Sequence, residues 1–548
     1  MNTSNSDKQT GFPGDDLGEL SVEQLERMAN ELFSALPGAI GNDVVGSAHQ
    51  QIDAQVAAHP RAVACAARLA DLASQTGRVA ADAVIAGELQ WQELSAQFPQ
   101  PIVNLPVNTT SNSSFSSFYF LDEIPAFAQA LHTPSLANSH PTFDVDAVRR
   151  DFPILQERVN GRPLIWLDNA ATTQKPQCVI DRLSYFYQHE NSNIHRAAHE
   201  LAARATDAYE GARATVARFL HASASDEIIF VRGATEGINL VAQSWGRQHI
   251  GKDDEIVITC LEHHANIVPW QQLCTETGAR LRVAPVDDDG QVLLEEYEKL
   301  LNPRTRLVAF TQVSNALGTV TPAREMVAMA HRHGARVLVD GAQSVSHLRV
   351  DVQALDCDWF VFSGHKIFGP TGIGVVYGKR GLLNATQPWQ GGGNMIEDVA
   401  FEHTRYQQAP ARFEAGTGNI ADAVGLAAAL DYVEILGIEN INRYEHELLV
   451  YATQALSEIP GLRLIGTAPD KTSVLSFVLK GAATEEVGTA LNKEGIAVRS
   501  GHHCAQPILR RFGLESTVRP SLAFYNTYRE IDVLAAALRR IQCGRTVF

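Results

Sequence analysis

Six apolar runs, EIIFV, EIVIT, LRVAP, RLVAF, ARVLVD and DWFVF, recur from Glu227 onward, separated by helical patterns such as TEGINLVAQSWG and PAREMVAMAHRHG. Apolar strands in such alternation belong to a mostly parallel sheet covered by helices on both faces. From about Phe143 the chain is therefore expected to be an α/β protein. In an open sheet of this kind ligands sit beyond the carboxyl ends of the strands, so the residues just after each run are the candidates for chemistry.

The ends of the chain read differently. Over the last hundred residues two helical stretches, near Glu439 to Ile459 and Thr484 to Glu494, alternate with short strands at Ser473 to Leu479 and Ile496 to Arg499, which predicts a smaller α+β part. The first 140 residues hold 5 Lys+Arg against 15 Asp+Glu, net −10 of the total −17, and a single lysine, Lys8. That balance argues against nucleic acid or an anionic membrane as main partner. Within this extension SVEQLERMANELFSAL carries a capping box at Ser21 and Gln24 and apolar residues at helical spacing. An alanine-rich stretch from about Val44 to Gln97 is a further helical candidate. Pro99 to Pro125, rich in Pro, Asn and Ser with aromatics at Phe115, Phe118, Tyr119 and Phe120, reads as a linker that either docks elsewhere or packs on its own catalytic part.

No segment approaches the roughly 18 consecutive apolar residues of a membrane span, and the acidic start MNTSNSDKQT does not resemble a signal peptide. A cytoplasmic protein is expected. Its seven cysteines are scattered without C-x-x-C spacing, which suggests neither a zinc site nor a disulfide framework, and no metal is expected.

The strand ends form a consistent set. After EIIFV, Gly233, Ala234 and Thr235 enter a helix N-terminus, where free N–H groups favour phosphate, although a threonine there can equally be a plain cap. After EIVIT come His263 and His264; after RLVAF, Asn315; after ARVLV, Asp340 and Gln343. An aspartate closing a buried strand needs a cationic partner. After DWFVF, the residues Ser363, Gly364 and His365 lead into Lys366, and a Gly369–Gly372 turn precedes a second apolar run, Ile373 to Tyr377. Read locally, Lys366 is either a hairpin-tip residue with its amine in water or a buried amine that escapes desolvation by forming a Schiff base. The combination of strand-end acid, histidine, phosphate-binding helix start and lysine is what pyridoxal 5'-phosphate requires.

The motifs LDNAATTQKP, NIHRAAHELA, GATEGINLV, EHHANIVPWQ, VDGAQSVSH, FSGHKIFGPTGIG, RFEAGTGN, VRSGHHCAQP and RPSLAFYNT closely resemble the cysteine desulfurases of the Suf type, the second group of that family, over about residues 141 to 548. The resemblance implies a fold-type I, aminotransferase class V-like enzyme with a large domain (163–437) and a small domain (141–162 and 438–548). It implies a homodimer converting L-cysteine to L-alanine. Lys366 would be the Schiff-base lysine, Asp340 the partner of the pyridine nitrogen, and Gln343 a donor to the ring hydroxyl. His263 would stack on the ring and assist proton transfer; Thr235, Ser363 and His365 would hold the phosphate, joined by Thr417 from the other subunit. Arg519 and Asn315 would grip the substrate carboxylate, with His195 and Arg499 lining the pocket. Cys504 would take the sulfur as a persulfide, its thiolate favoured by His502, His503 and Arg499, and pass it to an acceptor protein. AGTGN departs from the family at the turn around Thr417, where a proline usually follows the threonine.

Residues 1–140 lie outside the Suf-type pattern. Such an extension looks like the cargo-loading segment of desulfurases packaged by family 2 encapsulin shells; a regulatory or oligomerisation domain is the alternative. Selenocysteine lyase, a desulfurase that feeds iron–sulfur cluster assembly without encapsulation, and a catalytically dead scaffold are the competing functions. The intact Lys366 and Cys504 count against the scaffold.

Overall fold

In the computed structural model, which describes residues 143–194 and 199–544, the apolar runs assemble into one seven-stranded sheet. Its strands are β1 (Ile228–Val231), β2 (Glu255–Thr259), β3 (Arg280–Ala284), β4 (Thr305–Thr311), β5 (Arg336–Asp340), β6 (Trp359–Ser363) and β7 (Gly374–Gly378). Their spatial order is β1-β7-β6-β5-β4-β2-β3. The pairs β2–β3, β2–β4, β4–β5 and β5–β6 are parallel, as the alternation with helices requires. Only β7 reverses, running antiparallel to both β6 and β1, because the short turn after Lys366 can join only antiparallel neighbours. The helices expected at Ser21–Leu36 and over 44–97, the linker at 99–140 and His195 lie outside the described residues.

Every residue of β2, β6 and β7 is buried, which explains why their sequences do not alternate with polar residues. At the free edge, β3 instead exposes Arg280 and Arg282, charges that discourage further strand pairing. The two faces bury separate apolar clusters. One contains Phe230, Phe310, Phe360 and Phe362; the other contains Trp245, Trp270, Trp359 and Val361. Among the described residues no helix is long and apolar enough to cross a membrane.

The C-terminal part forms a four-stranded sheet in the order Leu462–Ile465, Ser476–Leu479, Thr517–Arg519, Arg499–Gly501, with helices Ile438–Ser457, Thr484–Lys493 and Tyr528–Gln542. The single strand expected over Ile496 to Arg499 is split. Ile496–Ala497 pairs in parallel with Ile165–Trp166, whereas Arg499–Gly501 pairs antiparallel with Thr517–Arg519. The segment just after Trp166 is thus anchored to the C-terminal part before it crosses to the large sheet.

The backbone comes closest to itself beside β7. A Cβ on Gly374 would lie 2.4 Å from the Cα of Gly233 and 2.6 Å from the carbonyl oxygen of Phe362, both backbone atoms that cannot rotate away. Gly374→Ala should therefore cost on the order of 1–3 kcal/mol in denaturant unfolding. Gly391→Ala, where a Cβ would meet nothing within 4 Å, serves as the control and should unfold like the parent.

Candidate active site

Lys366 ends a single 3-10 turn, Gly364–Lys366, that follows β6 directly. It lines a cavity of about 190 Å³ at the carboxyl ends of the strands. Burial pushes its amine down to about 8, with Asp340 opposing the shift and Arg519 and Arg499 adding to it. Asp340 closes the neighbouring strand β5 and is 4% exposed. Burial raises its pKa, while the Ala342 N–H on Oδ1 at 2.9 Å and the nearby Lys366 pull it back. Because β5 and β6 are parallel and adjacent, an acid and an amine that end them are delivered to the same side of the sheet.

The cavity collects Thr235, His263, Asn315, Asp340, Gln343, Ser363, His365, Lys366, Arg499, Cys504 and Arg519. Ser363 Oγ accepts the first amide of the helix Ala234–Val241, from Ala234 at 2.9 Å. A Cβ on Gly233 would come within 3.2 Å of that same oxygen, so glycine keeps the space open at the helix start. His263 Nδ1 accepts the Ala265 N–H at 3.0 Å, which leaves the proton on Nε2. Burial, then Lys366, hold His263 down to about 3, and the same causes hold His365 down to about 4. Both rings are therefore neutral at pH 7. Gln343 Nε2 donates to the Ala170 carbonyl at 2.7 Å, and Asn315 Nδ2 to the His503 carbonyl at 2.7 Å.

Arg499 and Arg519 are cross-strand partners in the antiparallel pair of the small sheet. Like charges directly opposite each other are unfavourable. Asp168 relieves this from a third segment, 3.1 Å from Arg519 Nη2 and 3.5 Å from Arg499 Nε. Arg519 is 1% exposed and donates Nη1 to the Asn315 carbonyl at 2.9 Å, yet its buried Nε has no partner among the described residues. One acid between two guanidinium groups leaves a net positive charge, which suits a carboxylate ligand.

Cys504 follows the Arg499–Gly501 strand, and both His503 and Cys504 adopt φ of +54°, unusual for residues with side chains. The Cys504 N–H donates to His502 Nδ1 at 3.0 Å, and its carbonyl accepts the His264 N–H at 2.8 Å. The expected charge assistance from His503 is not what the structure provides. His503 is 4% exposed, hydrogen-bonded through Nε2 to Thr517, and burial holds it down to about 2, so it is neutral.

Thr417, expected to act from the other subunit, does not line its own chain's cavity. Thr417 is exposed, 3.4 Å from Asn193 Oδ1, and lines two other clefts of about 460 and 710 Å³; His195 lies outside the described residues. Asp168 is the main residue that strand-end reasoning missed. Its signal was the polar LDN following the short apolar run Leu164–Leu167. Among the described residues no cluster of His, Cys, Asp and Glu could hold a metal ion.

The sequence profile of the Aminotransferase class-V family matches residues 165–534. A cysteine desulfurase of Synechococcus elongatus is 69% identical over 469 residues, covering 82% of this chain and 75% of that protein. A probable cysteine desulfurase of Mycolicibacterium paratuberculosis is 67% identical over 411 residues, covering 75% of this chain, which spans only 60% of that relative. The crystal structure of the cysteine desulfurase CsdA from Escherichia coli superimposes with a TM-score of 0.69 at 39% identity, covering 74% of this chain and 100% of that one.

The lowered Lys366 amine gives a direct test of the cavity's electrostatics. In protein freed of any bound carbonyl compound, modification of Lys366 by an amine-selective reagent should reach half its maximal rate near pH 8 rather than near the ordinary 10.5. Because Asp340 favours the protonated amine, Asp340→Asn should move that midpoint lower still, read by peptide mapping across a pH series.

Proposed function

The chain belongs to the Aminotransferase class-V family, among its cysteine desulfurases, and on that footing we propose that its cavity works as a Suf-type enzyme in which Cys504 receives the sulfur of L-cysteine. The observation that carries this reading is the convergence of Lys366, Asp340 and Cys504 on one cavity. A selenocysteine lyase would use the same fold, and parallel measurement of alanine release from cysteine and selenocysteine separates the two.

The residues present fit pyridoxal 5'-phosphate. Asp340 is a buried strand-end carboxylate without an arginine or lysine ion pair among the described residues, suited to a protonated ring nitrogen. The space kept open by Gly233, beside Ser363 Oγ and the amides of a helix start, suits a phosphate. Thr235, Ser363 and His365 would hold that phosphate, His263 and Gln343 would orient the ring, and Lys366 would carry it covalently. When bound, the cofactor supplies an electron sink beside the substrate Cα.

The chain's own groups do the rest. Arg519 and Arg499 hold the substrate carboxylate, with Asp168 fixing the two guanidinium groups. Lys366 Nζ would take the Cα proton; an amine pushed down to about 8 is matched to that task at neutral pH. Cys504 Sγ then attacks the substrate sulfur. A sulfur–sulfur bond forms on Cys504, the Cβ–S bond breaks with its electron pair left on carbon, and protonation of Cβ together with return of the Cα proton from Lys366 Nζ yields L-alanine. The loop bearing Cys504 is short and pinned at both sides by His264 and His502, so a persulfide acceptor protein comes to the site.

The reading extends to the assembly. Thr417, exposed in clefts outside its own Lys366 cavity, suits a residue offered to the cofactor of a second subunit in a homodimer. The acidic extension, residues 1–140, would load this cytoplasmic enzyme into an encapsulin shell. The Synechococcus match covers 82% of the chain, more than residues 143–548 can supply, so part of this extension is shared with another cysteine desulfurase.

Cys504→Ala should keep the visible absorption of lysine-bound cofactor while catalytic alanine formation falls by about 100-fold or more. Lys366→Ala should lose both. A Cys504→Ala enzyme with parental turnover would overturn the assignment of Cys504. Deleting residues 1–140 should spare desulfurase activity and abolish co-purification with a shell protein; retained encapsulation would refute the loading role.

A further inference from the structure

The segment Asp168–Lys175 carries a cluster of hydrogen-bonding groups that the proposed mechanism does not use. Four donors from it converge on one acceptor, the carbonyl oxygen of His365. They are Thr173 N at 3.0 Å, Thr172 Oγ1 at 3.0 Å, Thr173 Oγ1 at 3.2 Å and Lys175 Nζ at 3.5 Å. A carbonyl has two lone pairs, so satisfaction of a buried group alone would not call for four donors. The same Thr173 hydroxyl accepts the Phe368 N–H at 2.7 Å. One buried hydroxyl, 2% exposed, therefore ties the residue before Lys366 to the backbone two residues after it. Phe368 has a φ of +61°, a conformation that costs a residue with a side chain roughly 1–2 kcal/mol and needs something to hold it.

Lys175 adds a charge to this arrangement. Its amine donates to the Thr173 carbonyl, Thr172 Oγ1 and the His365 carbonyl, all neutral oxygens, and burial pushes it down to about 8. A half-buried ammonium whose bonds among the described residues all go to neutral acceptors carries a desolvation cost that a neutral side chain filling the same space would avoid.

The segment is itself held from the opposite side of the cavity. Asp168 ties Arg499 and Arg519, Asn169 Nδ2 donates to the Ser521 carbonyl at 2.7 Å, and the Gln174 N–H donates to Tyr525 Oη at 3.1 Å. From these contacts we infer that Thr173, backed by Thr172 and Lys175, is a positioning residue that staples the backbone across Lys366 and sets the direction of its amine toward the substrate-binding side. The inference rests on the reading of Lys366 as the cofactor lysine.

The test uses the full-length holoenzyme. Borohydride reduction of the parent should first fix the cofactor to Lys366; failure there removes the underlying reading and this inference with it. Thr173→Val keeps the shape and loses both hydroxyl bonds. It should lower kcat by about 10-fold or more while KM for L-cysteine changes by less than about 3-fold. The pH midpoint of the lysine-bound cofactor's absorption band should move by about half a unit or more. Thr173→Ser should restore both readouts. Lys175→Met should shift both in the same direction by less, and if Thr173→Val does not yield folded enzyme it carries the test through the same two readouts, parental kcat and band titration overturning the inference. Parental kcat and band titration in Thr173→Val, or failure of Thr173→Ser to restore them, would overturn the inference. So would a lowered melting temperature with an unmoved band, which marks a merely structural contact.

Discussion

An amine kept away from bulk water beside a buried carboxylate sets the terms for the whole catalytic half of this protein. Asp340 ends one strand and Lys366 the turn directly after its parallel neighbour, so the sheet itself holds them on one side and in one region. Burial disfavours the charge on each, and each partly restores the charge of the other. The neighbouring histidines avoid adding to the imbalance, although Arg519 and Arg499 do push the amine further down. His263 and His365 stay neutral, and the apolar clusters on the two faces of the sheet exclude water from beneath. What results is an amine half-protonated near pH 8, with far more free base at neutral pH than an ordinary lysine has, able to act as nucleophile and base.

The second charge problem lies on the small sheet. Arg499 and Arg519 face each other across an antiparallel pair, which only pays when something anionic stands between them. Asp168 does so in part, and a substrate carboxylate completes the balance. Asp168 belongs to the same stretch that clamps the His365 carbonyl. A single segment, anchored through Ile165–Trp166 to the C-terminal part, therefore touches both the substrate-holding arginines and the turn carrying Lys366. The two halves of the site are registered against each other by backbone, with little left to side-chain chance.

Much of this was readable from residue order. The six apolar runs became six strands of the central sheet, and the run after Lys366 became the seventh, because strands buried on both faces have no alternative to continuous apolar sequence. Residues at strand ends were readable for the same topological reason, which is why Asp340, His263 and Lys366 came together as expected. The run Ile496 to Arg499 was misread as one strand. Its two halves pair with segments more than three hundred residues and about twenty residues away, and nothing local distinguishes those partners. The thiolate assistance expected from His503 failed because burial and the Thr517 hydrogen bonds, neither visible in the run RSGHHC, keep that ring neutral.

By itself the sequence determined the class of fold, the strand ends on which chemistry would gather, and the residue types able to perform it, since these follow from periodicity and from the intrinsic chemistry of lysine, aspartate and cysteine. Only the tertiary structure decided which distant groups balance which charges. Asp168 between the two arginines, and Thr172, Thr173 and Lys175 on one carbonyl oxygen, are contacts across roughly 190 to 350 residues of chain. Electrostatic and hydrogen-bond energies depend on distance in space, and distance along the chain carries no record of it.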